Sequence, residues 1–357
     1  MKTIIFILAT TCLLFAEDFQ ITSNGEERTF KAYFPDNSSG NLPMVILMHG
    51  QGETVYNMIG LSNYYISNNI IPVFPQANIH PTSDDGDSTT VWNVRKYDTM
   101  SDDVAFIEDM IIFLTTTYNL IDQNKIYAAG YSNGGYMAYR LSCDLSDKIA
   151  AFGSVCGNMY LIDDNIDCKE QGRDIPIIHI HGTLDNINPY YEGGYGIYGN
   201  DIIGDEYLTI LESIEFWSSH NQLYNETVDT IFTGGGYMWF GEYFETSSIK
   251  FTYSNDFSNT KFTHIRAVNG GHVWFYGDNW GFDSHEELLN FFMEYNLDNF
   301  TSLIGDFNSD GILDINDLNI LIDHILESNE LDETLDLNSD SKADIFDLFI
   351  LTDLINR

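Results

Sequence analysis

The stretch KIYAAGYSNGGYMAYR (125–140) constrains the fold more than any other part of the chain. An apolar run reads as a buried strand, NGGYMAYRLSC reads as a helix, and only a very tight turn is left to join them. The turn is Gly130-Tyr131-Ser132-Asn133-Gly134, a G-x-S-x-G pattern. In such an elbow the serine adopts a strained backbone, and side chains two residues either way would collide, so both positions want glycine. A strand feeding a helix in this way belongs to a sheet with helices packed on its faces.

The rest of residues 28–300 agrees. RTFKAYFP, PMVILMHG (43–50), IIPVFPQ (70–76), AAFGSVCG and IPIIHIHG (175–182) read as strands, most of them continuously apolar as buried parallel strands are. Helical patterns fall around 58–69, 102–119, 205–220 and 284–295, with a strand pair near 248–267. Strands alternating with helices predict a mostly parallel sheet covered on both faces, the α/β class.

An elbow serine needs a base and an orienting acid, in the order serine, acid, histidine. Asp185 in HGTLDNINPY follows a strand at the edge where ligands bind in open α/β sheets, and His272 in GGHVW lies in a loop after the last strand. His49-Gly50-Gln51-Gly52 ends an early strand, so the Gln51 amide joins that of Asn133 as a donor to a developing oxyanion, while His49 reads as structural. Trp92 and Trp274 are candidates for an aromatic wall around a flat acyl group, and PYYEGGYGIYGN (189–200) for a substrate-facing loop. This chemistry needs no cofactor.

The net charge of −39, from 54 acidic against 15 basic residues, excludes nucleic acid and anionic membranes as partners. MKTIIFILATTCLLFAED starts with a lysine and a short apolar run before Ala16, which predicts a secretory leader over 1–16, an extracellular protein and no membrane insertion. An oxidising compartment then permits one bridge among the remaining cysteines. Cys156 reads as buried in a strand, and Cys143 is paired with Cys168 because both flank loops.

GYSNGGYMAYRLSCDLSDKIAAFGSVCG, HGTLDNINPYYEGG and GGHVW together resemble the secreted polyhydroxybutyrate depolymerase/feruloyl esterase family of α/β-hydrolases, over roughly residues 25–295. The resemblance implies an extracellular carboxylesterase with Ser132 as nucleophile, Asp185 as acid and His272 as base. An ester-bearing polymer is the implied substrate: hydroxycinnamoyl groups on polysaccharide or a polyester. Acetyl xylan and aromatic polyesters are alternatives on the same triad. A non-catalytic adhesion protein on a hydrolase scaffold is the alternative of another kind, disfavoured by the intact constellation. Phe275 stands where the family usually has proline after the tryptophan.

After residue 304 the texture changes. Two copies of D-x-N-x-D-x-x-x-D-x-x-D, each followed by an apolar helix, form an internal duplication in a segment with 14 acidic and 2 basic residues. Oxygen ligands fall at Asp306, Asn308, Asp310, Asp314 and Asp317, then at Asp336, Asn338, Asp340, Asp344 and Asp347, with backbone carbonyls of Ile312 and Lys342 between them. This is the spacing of a loop that wraps a hard cation, so two structural Ca2+ ions are expected. The pair resembles a type I dockerin, which implies a small all-α domain over 305–357, set off from the hydrolase domain over 17–300, and docking to a cohesin-like scaffold. Ser341 takes the place of the usual turn glycine, and Asp323-His324 take the places of the usual basic recognition residues.

Overall fold

The computed structural model describes residues 15–36, 40–81, 88–95, 99–160, 173–191, 207–239, 242–256, 258–300, 305, 307–308, 313–327, 335–338 and 342–355. Strand β1 (Phe15–Ser23) pairs with β2 (Glu26–Phe34), and β3 (Leu42–Met48) starts the buried set. Short helices α1 (Val55–Met58) and α2 (Ser62–Ser67) lead to β4 (Ile71–Pro75) and a small hairpin, β5 (Ile79–Pro81) with β6 (Ser88–Thr90). Then come α3 (Asp103–Thr117), β7 (Ile121–Tyr131), α4 (Asn133–Asp144), β8 (Ala151–Val155), β9 (Ile177–Gly182) and α5 (Ile210–His220). Strands β10 (Asn225–Trp239), β11 (Glu242–Ser254) and β12 (Lys261–Val268) precede α6 (Gly277–Trp280) and α7 (Ser284–Phe292).

Ten strands form one sheet in the order β1-β2-β4-β3-β7-β8-β9-β12-β11-β10. The six central strands, β4 to β12 in that order, run parallel, and antiparallel pairs close both edges. The continuous apolar runs are explained by burial on two sides. On β3, Met44, Ile46 and Met48 enter one core while Val45 and Leu47 enter the other. On β7, Ile126 and Ala128 part from Tyr127 and Ala129 in the same way.

The strand order reverses between β3 and β7: from β3 the chain moves outward to β4, then returns to add β7 on the other side. That reversal opens a crevice at the carboxyl ends of the strands. The predicted mostly parallel sheet is present, and its elements lie close to the expected positions. The sequence reading missed β1, the β5–β6 hairpin and β10, all paired antiparallel outside the parallel centre.

The duplicated segment forms α8 (Ile315–Glu327) and α9 (Ile345–Ile355), packed through Leu321, Leu335 and Leu351. The repeat is visible in its hydrogen bonds. Fully buried Asp317 accepts from the amides of Phe307, Asn308 and Asp314, and Asp347 accepts from those of Leu337, Asn338 and Asp344. Asp306, Asp310, Ile312 and Asp340 lie outside the described residues, as do 301–304 at the expected boundary and most of the expected leader.

Candidate active site

Ser132 sits between β7 and α4 with φ 52° and ψ −120°, a conformation that L-residues rarely adopt and that costs on the order of 1–3 kcal/mol. The neighbouring glycines are there for clearance. A Cβ on Gly130 would lie 2.1 Å from Gly134, and one on Gly134 would lie 2.3 Å from the Met48 carbonyl oxygen. Directly after Ser132, α4 begins, so its first amides lack intrahelical partners and its dipole favours negative charge.

Asp185 follows β9 and His272 follows β12, so the acid, the base and Ser132 all stand on the same edge of the sheet. His272 Nδ1 is 2.7 Å from Asp185 Oδ2, where the carboxylate accepts the ring hydrogen and leaves Nε2 as the basic atom. Asp185 Oδ1 accepts from the amides of Ile187 (2.9 Å) and Asn188 (2.8 Å). Burial alone would raise this carboxyl, but hydrogen bonds from His181 and His272 outweigh burial and hold it well below the ordinary carboxylate range. No hydrogen bond links Ser132 Oγ to His272 among the described residues. In a free enzyme that contact is commonly long and tightens around substrate.

Facing the elbow across the strand reversal is the loop after β3. His49 is fully buried, its Nδ1–H donating to the Gly50 carbonyl at 2.8 Å and its Nε2 accepting from the Ala77 amide at 3.2 Å. Burial lowers its pKa to about 4, so it is a neutral structural ring, as expected from its position ahead of the loop. The Gly50 amide donates to Glu53 Oε2, and Gly52, at φ 75°, donates to the Thr90 carbonyl. The Gln51 and Asn133 amides donate to no group among the described residues. They are the two expected oxyanion donors, and the loop around them is already locked.

Trp92 is where the structure corrects the sequence reading. Only 1% exposed, it does not form a substrate wall. Its indole N–H donates to the His49 carbonyl (2.8 Å) and its backbone amide donates to Asn133 Oδ1 (2.7 Å), so one residue ties the β3 loop to the elbow. The next amide, of Asn93, donates to Asp103, which is paired with buried Arg28.

Tyr131, passed over at the sequence level, takes the place expected of Trp92. Its ring lies 5.1 Å from that of His272 and 6.4 Å from that of Trp274, and its hydroxyl donates to the His272 carbonyl at 2.8 Å. Trp274 is partly buried, and its indole N–H has no partner among the described residues. Phe275 is fully buried against Trp280 and Phe282, and its amide donates to Ser284 Oγ. Proline could not make that bond, so the departure at 275 is a matter of packing beneath the site.

Cys156 is a free, fully buried thiol, and Cys143 is disulfide-bonded; Cys168 lies outside the described residues, as do 192–200 of the aromatic insert. The second acid partner, His181, was also missed. Its Nε2 lies 3.2 Å from Asp185 Oδ2. Two histidines alternating in the apolar run IIHIHG were the available signal.

The sequence pattern of the Phospholipase/Carboxylesterase family matches residues 37–195, a span that holds Ser132 and Asp185. The bifunctional acetylxylan esterase/xylanase of Neocallimastix patriciarum is 27% identical over 173 residues, 47% of this chain and 23% of that protein. Feruloyl esterase B of Piromyces equi is 38% identical over 104 residues, 29% of this chain and 19% of that protein. The chain thus spans less than a quarter of the length of these two relatives. Among solved structures, the acetyl xylan esterase from Aspergillus awamori superimposes with a TM-score of 0.51 at 14% identity, over 78% of this chain and 99% of that one. The chain has an α/β-hydrolase fold, and its residues 37–195 match the sequence pattern of the phospholipase/carboxylesterase family.

Proposed function

We propose that the protein is a secreted serine ester hydrolase that removes aromatic acyl groups, of the feruloyl kind, from a polysaccharide. The observation that carries this reading is the strained Ser132 at a helix N-terminus, on the same sheet edge as a 2.7 Å Asp185–His272 pair. His272 Nε2 takes the Ser132 proton as Oγ attacks the ester carbonyl, and Asp185 holds the ring tautomer. The Gln51 and Asn133 amides receive the oxyanion, His272 returns the proton to the leaving alcohol, and water then releases the acid from Ser132. The feruloyl esterase named among the relatives supports an aromatic acyl group, as do Tyr131 and Trp274 beside the base. The acetylxylan esterase among the relatives favours acetyl as the second reading.

Ser132→Ala is expected to lower kcat on p-nitrophenyl butyrate by roughly 10⁴-fold or more. A variant as fast as the parent would refute the esterase reading. Parallel rates on methyl ferulate, acetylated xylan and a polyhydroxybutyrate film rank the acyl groups, and the first is expected to be fastest.

The duplicated segment is proposed to bind two calcium ions and to dock the enzyme to a cohesin-like scaffold. Its donors are all hard oxygens, from Asp306, Asn308, Asp310, Asp314 and Asp317 and from the equivalent set Asp336 to Asp347, and each loop wraps around a buried acidic side chain. Calcium would relieve the repulsion within this acidic segment. Chelation is expected to remove a low-temperature transition from the calorimetric trace and leave esterase activity in place; an unchanged trace would overturn the calcium assignment.

A further inference from the structure

Buried strands rarely carry two histidines, because an imidazole in a core needs a partner at each nitrogen. β9 carries His179 and His181, two residues apart and hence on one face, both fully buried. Their contacts form a series. Tyr139 Oη lies 2.6 Å from His179 Nδ1, His179 Nε2 lies 3.0 Å from His181 Nδ1, and His181 Nε2 lies 2.8 Å from the Asn188 carbonyl oxygen and 3.2 Å from Asp185 Oδ2.

With these three side chains neutral, only one set of hydrogens satisfies the series. The two oxygens at His181 Nε2 can only accept, so that nitrogen carries the hydrogen. His181 Nδ1 must then accept from His179 Nε2–H, and His179 Nδ1 must accept from the Tyr139 hydroxyl. Each hydrogen therefore points toward Asp185. The carboxylate in turn has about four acceptor positions. Two are filled by the Ile187 and Asn188 amides, one by His272, and the last by His181.

We propose that His181, oriented by His179 and Tyr139, is a positioning residue of the triad: it fills the last acceptor site of Asp185 and so fixes the plane of the carboxylate that holds His272. This inference rests on the esterase reading and adds to it. The polar row inside an otherwise apolar core is retained because the acid it supports cannot turn or take up a proton without breaking it.

The ionisable groups facing this row come from every neighbouring element. Asp185 is faced by His272, by Cys156 after β8 and by Tyr136 on α4; the histidines are faced by His264 and Arg266 on β12 and by Tyr190. Among them His181 and His272 are the nitrogen donors to the carboxylate, and the Cys156 thiol is a weaker side-chain partner beside it. Removing His181 therefore lets Asp185 bind a proton at higher pH, and activity on the acid side is lost sooner.

The test uses the full-length protein and the variants His181→Phe, His181→Gln and Tyr139→Phe. The readouts are pH profiles of kcat and KM on p-nitrophenyl acetate, together with the ¹³C carboxyl titration of the Asp185 resonance, identified by its loss in Asp185→Asn. In His181→Phe, kcat is expected to fall roughly ten- to a hundredfold, the scale of a misplaced catalytic group, with KM little changed. Its acid limb and its carboxyl titration should both move to higher pH. Gln, whose amide reaches the position of Nε2, should recover most of both, and Tyr139→Phe should shift them in the same direction by less. A folded His181→Phe or Tyr139→Phe protein whose acid limb and titration coincide with the parent's would overturn the proposal. So would a Gln variant as impaired as Phe, and if Phe does not fold, the other two variants decide. A parent that hydrolyses nothing, with the carboxyl titration still shifted by His181→Phe, would remove the esterase reading and leave the positioning role standing.

Discussion

Two neighbouring strands of this sheet end at nearly the same positive φ and in opposite chemistry. β7 delivers Ser132 at φ 52°, and β8 delivers Cys156 at φ 56°. Their amides bond alike, Ser132 to the Val155 carbonyl and Cys156 to that of Ile180. Yet Ser132 is followed at once by α4 and is partly exposed, whereas Cys156 leads into a loop and is fully buried. Burial, with the nearby Asp185 carboxylate adding to it, pushes the Cys156 thiol well above its ordinary range, so the more nucleophilic element is held inert. Strain at a strand end marks a functional site only when a helix N-terminus and solvent meet it there.

The comparison can be broken most severely at Gly134. A Cβ there would press on the carbonyls of Met48 and His49, so Gly134→Ala should force the β3 loop away from the elbow. A loss of roughly a hundredfold or more in kcat/KM is expected, with a lower melting temperature. Full activity in that variant would mean that the loop and the elbow are not in register as described. A smaller effect is expected for Trp92→Phe, which keeps the ring in the core but drops the hydrogen bond to the His49 carbonyl. About tenfold in kcat, with little change in KM, would fit a loosened oxyanion donor. A KM effect alone would instead make Trp92 a binding residue. The smallest effect belongs to Cys156→Ala, expected within about threefold of the parent in rate, because the thiol's contacts, to the Val273 carbonyl and beside Asp185, are weak next to the imidazole and amide bonds that hold that carboxylate. Native protein at pH 8 should not react with iodoacetamide at Cys156, since a raised thiol stays protonated there. Rapid alkylation with loss of activity would abolish the distinction between the two strand ends.

The proposed triad is legible because its signals are local. Gly130 and Gly134 announce the elbow within five residues, and Asp185 and His272 each follow a readable strand. What could not be read depends on neighbours in space. Trp92 and Tyr131 are both aromatic residues in loops or at strand ends; which of them is buried depends on partners in space, for Trp92 the His49 carbonyl and the Asn133 side chain, for Tyr131 the His272 carbonyl. His181 finds Asp185 in the loop that follows its own strand, but its orientation comes through His179 from Tyr139 on α4, before β8 in the chain. β1 and β10 gave no clean signal because edge strands with one open side are paired by their partners and not by their own apolar pattern.

The hydrogen bonds of Trp92 have a further consequence for what turnover measures. Gln51 and Asn133 stand 82 positions apart, and the bonds that join their two segments run through Trp92. In the folded protein the pair stands together because β3 pairs with β7 and Trp92 bonds to both sides. Under the esterase reading, turnover would then report on β3, β7 and the Trp92 loop together, and not on any one of them.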